Sequence, residues 1–94
     1  MAAEQGNPYA QYSIAHMFEE GKGVPQNYKQ AAKWYTKAAE QEWGQVIIGD
    51  FYLEGKGVPQ SYVKAHIWYS IRTANGYSDG ARKRDNVAEK MTSD

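Results

Sequence analysis

The sequence Gly-Lys-Gly-Val-Pro-Gln at residues 21–26 occurs again, letter for letter, at residues 55–60. The match extends beyond these six residues, since 10 of the 18 positions from 21 to 38 are identical in 55 to 72. The additional identities are Tyr28/Tyr62, Ala31/Ala65, Trp34/Trp68 and Tyr35/Tyr69. A fixed offset of 34 residues is typical of a protein built from repeated pairs of helices.

Apolar residues recur at helical spacing on both sides of the first copy. Ala31, Trp34, Tyr35, Ala38 and Ala39 fall at i, i+3, i+4, i+7 and i+8, and a similar stripe of Ala10, Ile14, Met17 and Phe18 precedes the loop. Asn7-Pro8 supplies an N-cap and a first-turn proline. We predict helices near 8–20, 27–41, 45–54, 61–74 and 78–91.

The repeated loop predicts how these helices end and begin. Gly21 and Gly55 follow the apolar stripes directly, where glycine can adopt the left-handed conformation that ends a helix. Asn27 and Ser61 then stand at the N-cap of the next helix. Each unit is therefore a helical hairpin, and because a hairpin cannot cover its own apolar face, successive hairpins should stack into a solenoid.

This pattern resembles the Sel-one-like repeat, a relative of the tetratricopeptide repeat. The residues that carry the resemblance are Ala10, Ile14, Ala15, Phe18, the loop at 21–24, Tyr28, Ala31, Trp34, Tyr35 and the stretch 38–41. Residues 74–91 look like the closing helix of bacterial members. The resemblance implies an all-α fold, an α/α solenoid with a right-handed superhelix, that acts as a protein-binding adaptor, often in bacterial envelope, secretion or host-interaction settings.

We predict a single domain over residues 1–94, with repeat one at 4–39, repeat two at 40–73, and a partial repeat with a capping helix at 74–94. Two features depart from the repeat. The joint at 40–45 is two residues shorter than the equivalent stretch 4–11, so that Gly6 and Pro8 have no counterpart there. Arg72-Thr73 replaces the small pair Ala38-Ala39, which predicts looser packing of the fourth helix on its next neighbour.

The short joint supports an alternative prediction of self-association. With Gly44 as the only interruption, residues 27–54 can form one long helix, because an interior glycine costs about 1 kcal/mol. The two halves would then pack against a second chain. The protein would in that case be a domain-swapped homodimer and a repeat fragment of a longer bacterial envelope or secretion-related protein.

Composition argues against several other classes of function. Eleven Lys and Arg balance eleven Asp and Glu, so we expect no binding to nucleic acid or to membranes. The chain has no Cys, which excludes disulfides and Cys-based zinc sites. Residues 1–8 lack the basic and apolar regions of a signal peptide, and no run reaches transmembrane length, so we predict a soluble chain and leave its compartment open.

Two patterns suggest chemistry, and both have a simpler explanation. Ser61 and Lys64 match the Ser-x-x-Lys motif of penicillin-recognising hydrolases, but the companion motifs Ser-Asp-Asn and Lys-Thr-Gly are missing and Ser61 stands at an N-cap. His16 and Glu20 are one helical turn apart, yet two mixed ligands hold a metal only weakly. We therefore predict no enzyme, no catalytic residue, no metal and no cofactor.

One stripe of residues on the first helix of each hairpin predicts where a partner binds. Alignment with tetratricopeptide-like hairpins places it on the concave side, with aromatic anchors beside carboxylates that suit an extended or helical protein segment. The predicted partner-binding residues are Tyr9, Tyr12, His16, Glu19, Trp43, Val46, Asp50 and Leu53. An open alternative is that Val46 and Leu53 only pack against the closing helix.

Overall fold

The structure is a computed structural model that describes residues 6–92, and this part of the chain is all-α. Its helices are α1 (Pro8–Glu20), α2 (Tyr28–Ala39), α3 (Gln45–Glu54), α4 (Tyr62–Ala74) and α5 (Ser78–Thr92). These bounds confirm the predicted helices to within two residues. The division into repeats stays a prediction, and its outermost residues, 4–5 and 93–94, lie outside the described range. Within 6–92, no helix has the length and apolar character needed to cross a membrane.

The predicted caps explain why the first two hairpins begin and end where they do. The side chains of Asn7, Asn27 and Ser61 accept hydrogen bonds at 3.0–3.1 Å from backbone N–H groups three residues later. Gly21 and Gly55 both adopt the left-handed conformation with φ 71° and end α1 and α3. Each Gly-Lys-Gly-Val loop is therefore a helix-ending turn, as predicted.

The helices stack in chain order, and the core lies between them. α1 packs on α2, α3 fits between α2 and α4, and α5 packs on α4. One buried cluster joins α1, α2 and α3, with the ring of Tyr35 5.4 Å from that of Phe51. A second buried cluster joins Ala65, Tyr69 and Val87. The chain is thus an α-helical repeat solenoid, and the largest fully buried side chain of each cluster is a tyrosine, Tyr35 in the first and Tyr69 in the second.

The short joint between the hairpins is a turn, so the prediction of one continuous helix over 27–54 is wrong for this chain. The N–H of Trp43 donates to the carbonyl of Ala38 at 3.0 Å, and the N–H of Glu42 donates to that of Ala39 at 3.1 Å. This pair of bonds is a Schellman motif, which requires a left-handed residue. Glu42 supplies it with φ 73°, at the position that glycine holds in the equivalent turns at Gly6 and Gly76.

The α4–α5 corner corrects a second expectation, that Arg72-Thr73 would loosen the packing. Gly80 lets α5 approach α4 closely, since a Cβ there would lie 2.7 Å from the carbonyl oxygen of Tyr69 and 2.8 Å from Cβ of Arg72. The Arg72 guanidinium lies 3.6 Å from the ring centre of Tyr77 and binds Asp79 at 3.0 Å. This hydrogen bond lowers the pKa of Asp79 below its usual range.

Candidate protein-binding groove

A groove of about 300 Å³ lies between α1 and α3, on the side of the solenoid that was predicted to be concave. Its lining residues are Tyr12, His16, Glu19 and Glu20 from α1, Ile47, Asp50, Phe51 and Glu54 from α3, and Tyr35 and Lys56. Four of the eight predicted residues, Tyr12, His16, Glu19 and Asp50, therefore meet in one place. We call this feature the α1–α3 groove.

Two further predicted residues, Tyr9 and Trp43, form an exposed aromatic pair that is continuous with the groove. Their ring centres are 5.6 Å apart in an edge-to-face arrangement, and the ring of Tyr12 lies 6.0 Å from that of Trp43. Tyr9 is 62% exposed and Trp43 is 42% exposed. Large rings with this much accessible surface offer apolar anchoring area at low entropic cost.

The last two predicted residues, Val46 and Leu53, lie elsewhere. Both are partly buried and pack against the cluster of Ala65, Tyr69 and Val87. This cluster includes Val87 of α5, the helix against which the alternative prediction placed both residues, but its other two members belong to α4. The groove instead uses Ile47, Phe51 and Glu54, which belong to an adjacent stripe of α3. The helical spacing of Ile47, Phe51 and Glu54 was visible in the sequence, but the truncated start of α3 concealed which stripe faces the groove.

Two carboxylates of the groove, Glu19 and Asp50, each contact a tyrosine hydroxyl and a lysine. Glu19 accepts a hydrogen bond from the Tyr35 hydroxyl at 2.7 Å and lies 3.4 Å from Lys56 Nζ. Asp50 accepts one from the Tyr69 hydroxyl and lies 3.1 Å from Lys83 Nζ. Each carboxylate thus connects a buried tyrosine of its own hairpin to a lysine further along the chain.

These contacts fix the protonation of the two tyrosines. Burial, followed by the hydrogen bonds to Glu19 and Asp50, raises the pKa of Tyr35 and of Tyr69 far above the ordinary value of a phenol. Both hydroxyls therefore remain donors and hold the carboxylates in place. Glu20 and Glu54 are the more accessible carboxylates of the groove, since both are exposed. Glu20 also lies 3.2 Å from Lys22 Nζ and 3.3 Å from His16 Nε2.

The sites considered for chemistry do not assemble into a reaction centre in residues 6–92. The Ser61 hydroxyl accepts the N-capping hydrogen bond of Lys64, and Lys64 Nζ lies 5.4 Å from the ring centre of Tyr52. His16 Nε2 lies 3.3 Å from Glu20 at the surface. No group of three His, Asp or Glu that could hold a metal exists among these residues.

A second, more apolar pocket of about 560 Å³ lies between α1 and α2. It is lined by Ile14, Met17, Phe18, Val24, Gln30 and Trp34. Ile14 and Met17 correspond by repeat alignment to Ile48 and Phe51, which are buried where α3 packs on α2. These are the positions by which one hairpin stacks on another, and the pocket has few polar groups that could select a partner.

Comparison with known proteins identifies the repeat. A family model described as the Sel1 repeat matches residues 8–42 and 44–71, more than half of the chain. The chain belongs to the Sel1 repeat family. This confirms the resemblance read from the sequence, and Sel1 repeats are typically protein–protein interaction modules.

Solved structures agree with this assignment. A Sel1 repeat protein from Oxalobacter formigenes is 31% identical with a TM-score of 0.84, over 90% of this chain and 65% of that one. A protective antigen present in uropathogenic Escherichia coli strains, which has the same repeat fold, is 33% identical with a TM-score of 0.89, over 95% of this chain and 20% of that one.

One curated relative is similar over a shorter stretch. The chitin synthase regulator SKT5 of Saccharomyces cerevisiae is 46% identical over 41 residues, which are 44% of this chain and 6% of the regulator. The chain thus spans less than two thirds of the length of each of these three relatives.

Proposed function

We propose that this chain is a non-catalytic adaptor module that binds a segment of a partner protein in the α1–α3 groove. The observation that carries the proposal is the exposed pair Tyr9 and Trp43, which continues through Tyr12 into a groove lined by carboxylates. Exposed aromatic side chains beside a polar wall are typical of protein recognition sites. The membership of the Sel1 repeat family supports a protein as the partner.

The charges of the groove favour a segment with basic residues. Glu20 and Glu54 are exposed, whereas Lys56 is partly buried and paired with Glu19. A Lys or Arg side chain of the partner would be attracted to these carboxylates, and an apolar neighbour would contact Tyr9 and Trp43. The name of the yeast relative, a regulator of chitin synthase, fits a protein that acts through another protein, although this chain covers only 6% of it.

Selection of displayed peptides against the wild-type protein, followed by affinity measurement, tests the proposal. In the Tyr9→Ala/Trp43→Ala variant we expect the selected peptide to bind at least about tenfold more weakly, because exposed aromatic anchors dominate such interfaces. A matched control, Tyr62→Ala/Met91→Ala, removes two exposed apolar side chains that do not line the groove and should bind normally. Unchanged binding in the first variant would exclude the groove.

A second variant tests the role of charge. Glu20→Lys/Glu54→Lys reverses the exposed carboxylates without touching the paired Glu19 and Asp50. We expect it to weaken binding of a basic peptide and to reduce the salt dependence of that binding. Circular dichroism should show that all variants remain helical. Substitution of Tyr12 is less informative, because its ring also packs 5.6 Å from that of buried Tyr35.

A further inference from the structure

An exposed row of aliphatic side chains runs along α4, on a different surface from the groove. Val63, Ile67 and Ile71 are 57%, 50% and 37% exposed. Residues four positions apart lie on the same side of a helix, so the three side chains form one continuous row. We call it the α4 ridge.

The other hairpin shows that the fold does not need this ridge. At the repeat offset of 34, the counterparts of Val63, Ile67 and Ile71 are lysines in α2, at Lys29, Lys33 and Lys37. All three lysines are exposed. Since the same positions of the same helical hairpin accept charged residues, packing of the core does not explain the aliphatic residues of α4.

The row of lysines lies on the same outer layer of the solenoid, because α2 and α4 are both second helices of their hairpins. Within residues 6–92, none of these lysines forms an ion pair with a carboxylate. Lys33 and Lys37 instead lie 5.5 and 5.3 Å from the ring centre of Trp34. The outer layer therefore presents an apolar row on α4 and a positive row on α2. These two helices do not contact each other within residues 6–92, and α3 packs against both of them.

We propose that this outer layer binds an acidic amphipathic helix of a partner protein. The apolar stripe of that helix would cover the α4 ridge, and carboxylates along its edge would face Lys29, Lys33 and Lys37. Three half-exposed side chains in a row can be covered by the apolar stripe of a single helix. The surface they can bury falls well short of the about 800 Å² per partner that a standard protein interface buries. A second copy of this chain fits less well, because it brings the same positive row.

Binding of a designed helix tests this proposal. The probe is a labelled amphipathic helix whose leucine stripe is flanked by glutamates, and its counterpart carries lysines in place of the glutamates. Val63→Lys/Ile67→Lys/Ile71→Lys gives repeat two the residues of repeat one. The control, Asn86→Lys/Glu89→Lys, adds the same positive charge on an exposed part of α5.

We expect the acidic helix to bind the wild-type protein and to bind the α4 variant at least about tenfold more weakly, even though that variant gains positive charge. The control variant should bind as well as the wild type or better. The proposal is overturned if the α4 variant keeps full affinity while folded, if the lysine helix binds equally well, or if neither helix binds. It is also overturned if light scattering shows a wild-type dimer that the α4 variant converts to a monomer.

Discussion

Repeat one and repeat two have equivalent central tyrosines and turns, but they differ on the surfaces where a partner can bind. Tyr35 and Tyr69 are both fully buried and both donate to a carboxylate. In repeat one the carboxylate is Glu19, and the equivalent residue of repeat two is Leu53. In repeat two the carboxylate is Asp50, and the equivalent residue of repeat one is His16. Each repeat thus serves as an internal control for the other, because it shows which residues the same fold accepts at a given position.

The largest expected difference between the repeats is in the stability lost when a loop glycine is replaced by alanine. A Cβ on Gly57 would overlap the carbonyl group of Tyr28 and lie 2.8 Å from the amide nitrogen of Lys29, whereas one on Gly23 would meet only Met17 Cε at 3.5 Å. Both glycines have positive φ, so each alanine costs about 1–2 kcal/mol in the backbone. Gly57→Ala should cost about 2 kcal/mol more than Gly23→Ala because of the overlap.

Urea denaturation of the two single variants measures this difference in the free energy of unfolding. Equal losses of stability would mean that the second loop does not touch the start of α2. A larger loss for Gly23→Ala would contradict the alignment of the two hairpins.

The buried tyrosines predict a loss of stability in alkali that both repeats share. The pKa of Tyr35 and of Tyr69 is raised, so the unfolded chain releases these protons more readily than the folded one. The stabilising effect is complete below about pH 10 and is lost above it, by about 1.4 kcal/mol per pH unit for each tyrosine. Tyr35→Phe and Tyr69→Phe should each remove one of these contributions.

The free energy of unfolding, measured by urea titration on both sides of pH 10, checks this prediction. At neutral pH each phenylalanine variant should be less stable by roughly 1 kcal/mol, because one hydrogen bond is lost. An alkaline slope that persists in the double variant would assign the loss to other groups.

The smallest expected change in stability is for a substitution in the joint between the repeats. Glu42 has φ 73°, where the equivalent turns have Gly6 and Gly76. Glu42→Gly should therefore raise the free energy of unfolding by about 1 kcal/mol, and Gly76→Ala should lower it by a similar amount. Thermal unfolding of both variants tests this, and an unchanged midpoint for Glu42→Gly would show that the left-handed turn is not strained.

The sequence was sufficient to predict the fold because its signals are local. The caps at Asn7, Asn27 and Ser61 and the terminating glycines Gly21 and Gly55 act over a few residues of chain. The break between helices at 42–44 was predicted, but the Schellman turn that forms it was not, because that turn uses Glu42 where a glycine is expected. The match of Glu-Gln-Gly at 4–6 with Glu-Gln-Glu at 40–42 places Glu42 opposite Gly6 and could have indicated that Glu42 is the left-handed residue of the turn.

The groove was only partly predictable because it depends on contacts between distant parts of the chain. Lys56 and Lys83 reach Glu19 and Asp50 from the following loop and from α5, and no local pattern indicates such pairs. The rotation of α3 also decides that Ile47, and not Val46, faces the groove. That rotation follows from how α3 packs between α2 and α4.

The most direct test of the proposed groove uses the three tryptophans, which lie in different parts of the molecule. Trp43 belongs to the exposed aromatic pair, Trp34 lines the apolar α1–α2 pocket, and Trp68 packs on the core. The measurement is a titration of ¹⁵N-labelled protein with the selected peptide, followed by NMR at the indole N–H signals. We expect the Trp43 signal to shift and the signals of Trp34 and Trp68 to stay unchanged. A shift of Trp34 with an unmoved Trp43 would contradict this expectation and would assign binding to the stacking pocket or to the neighbouring lysine row.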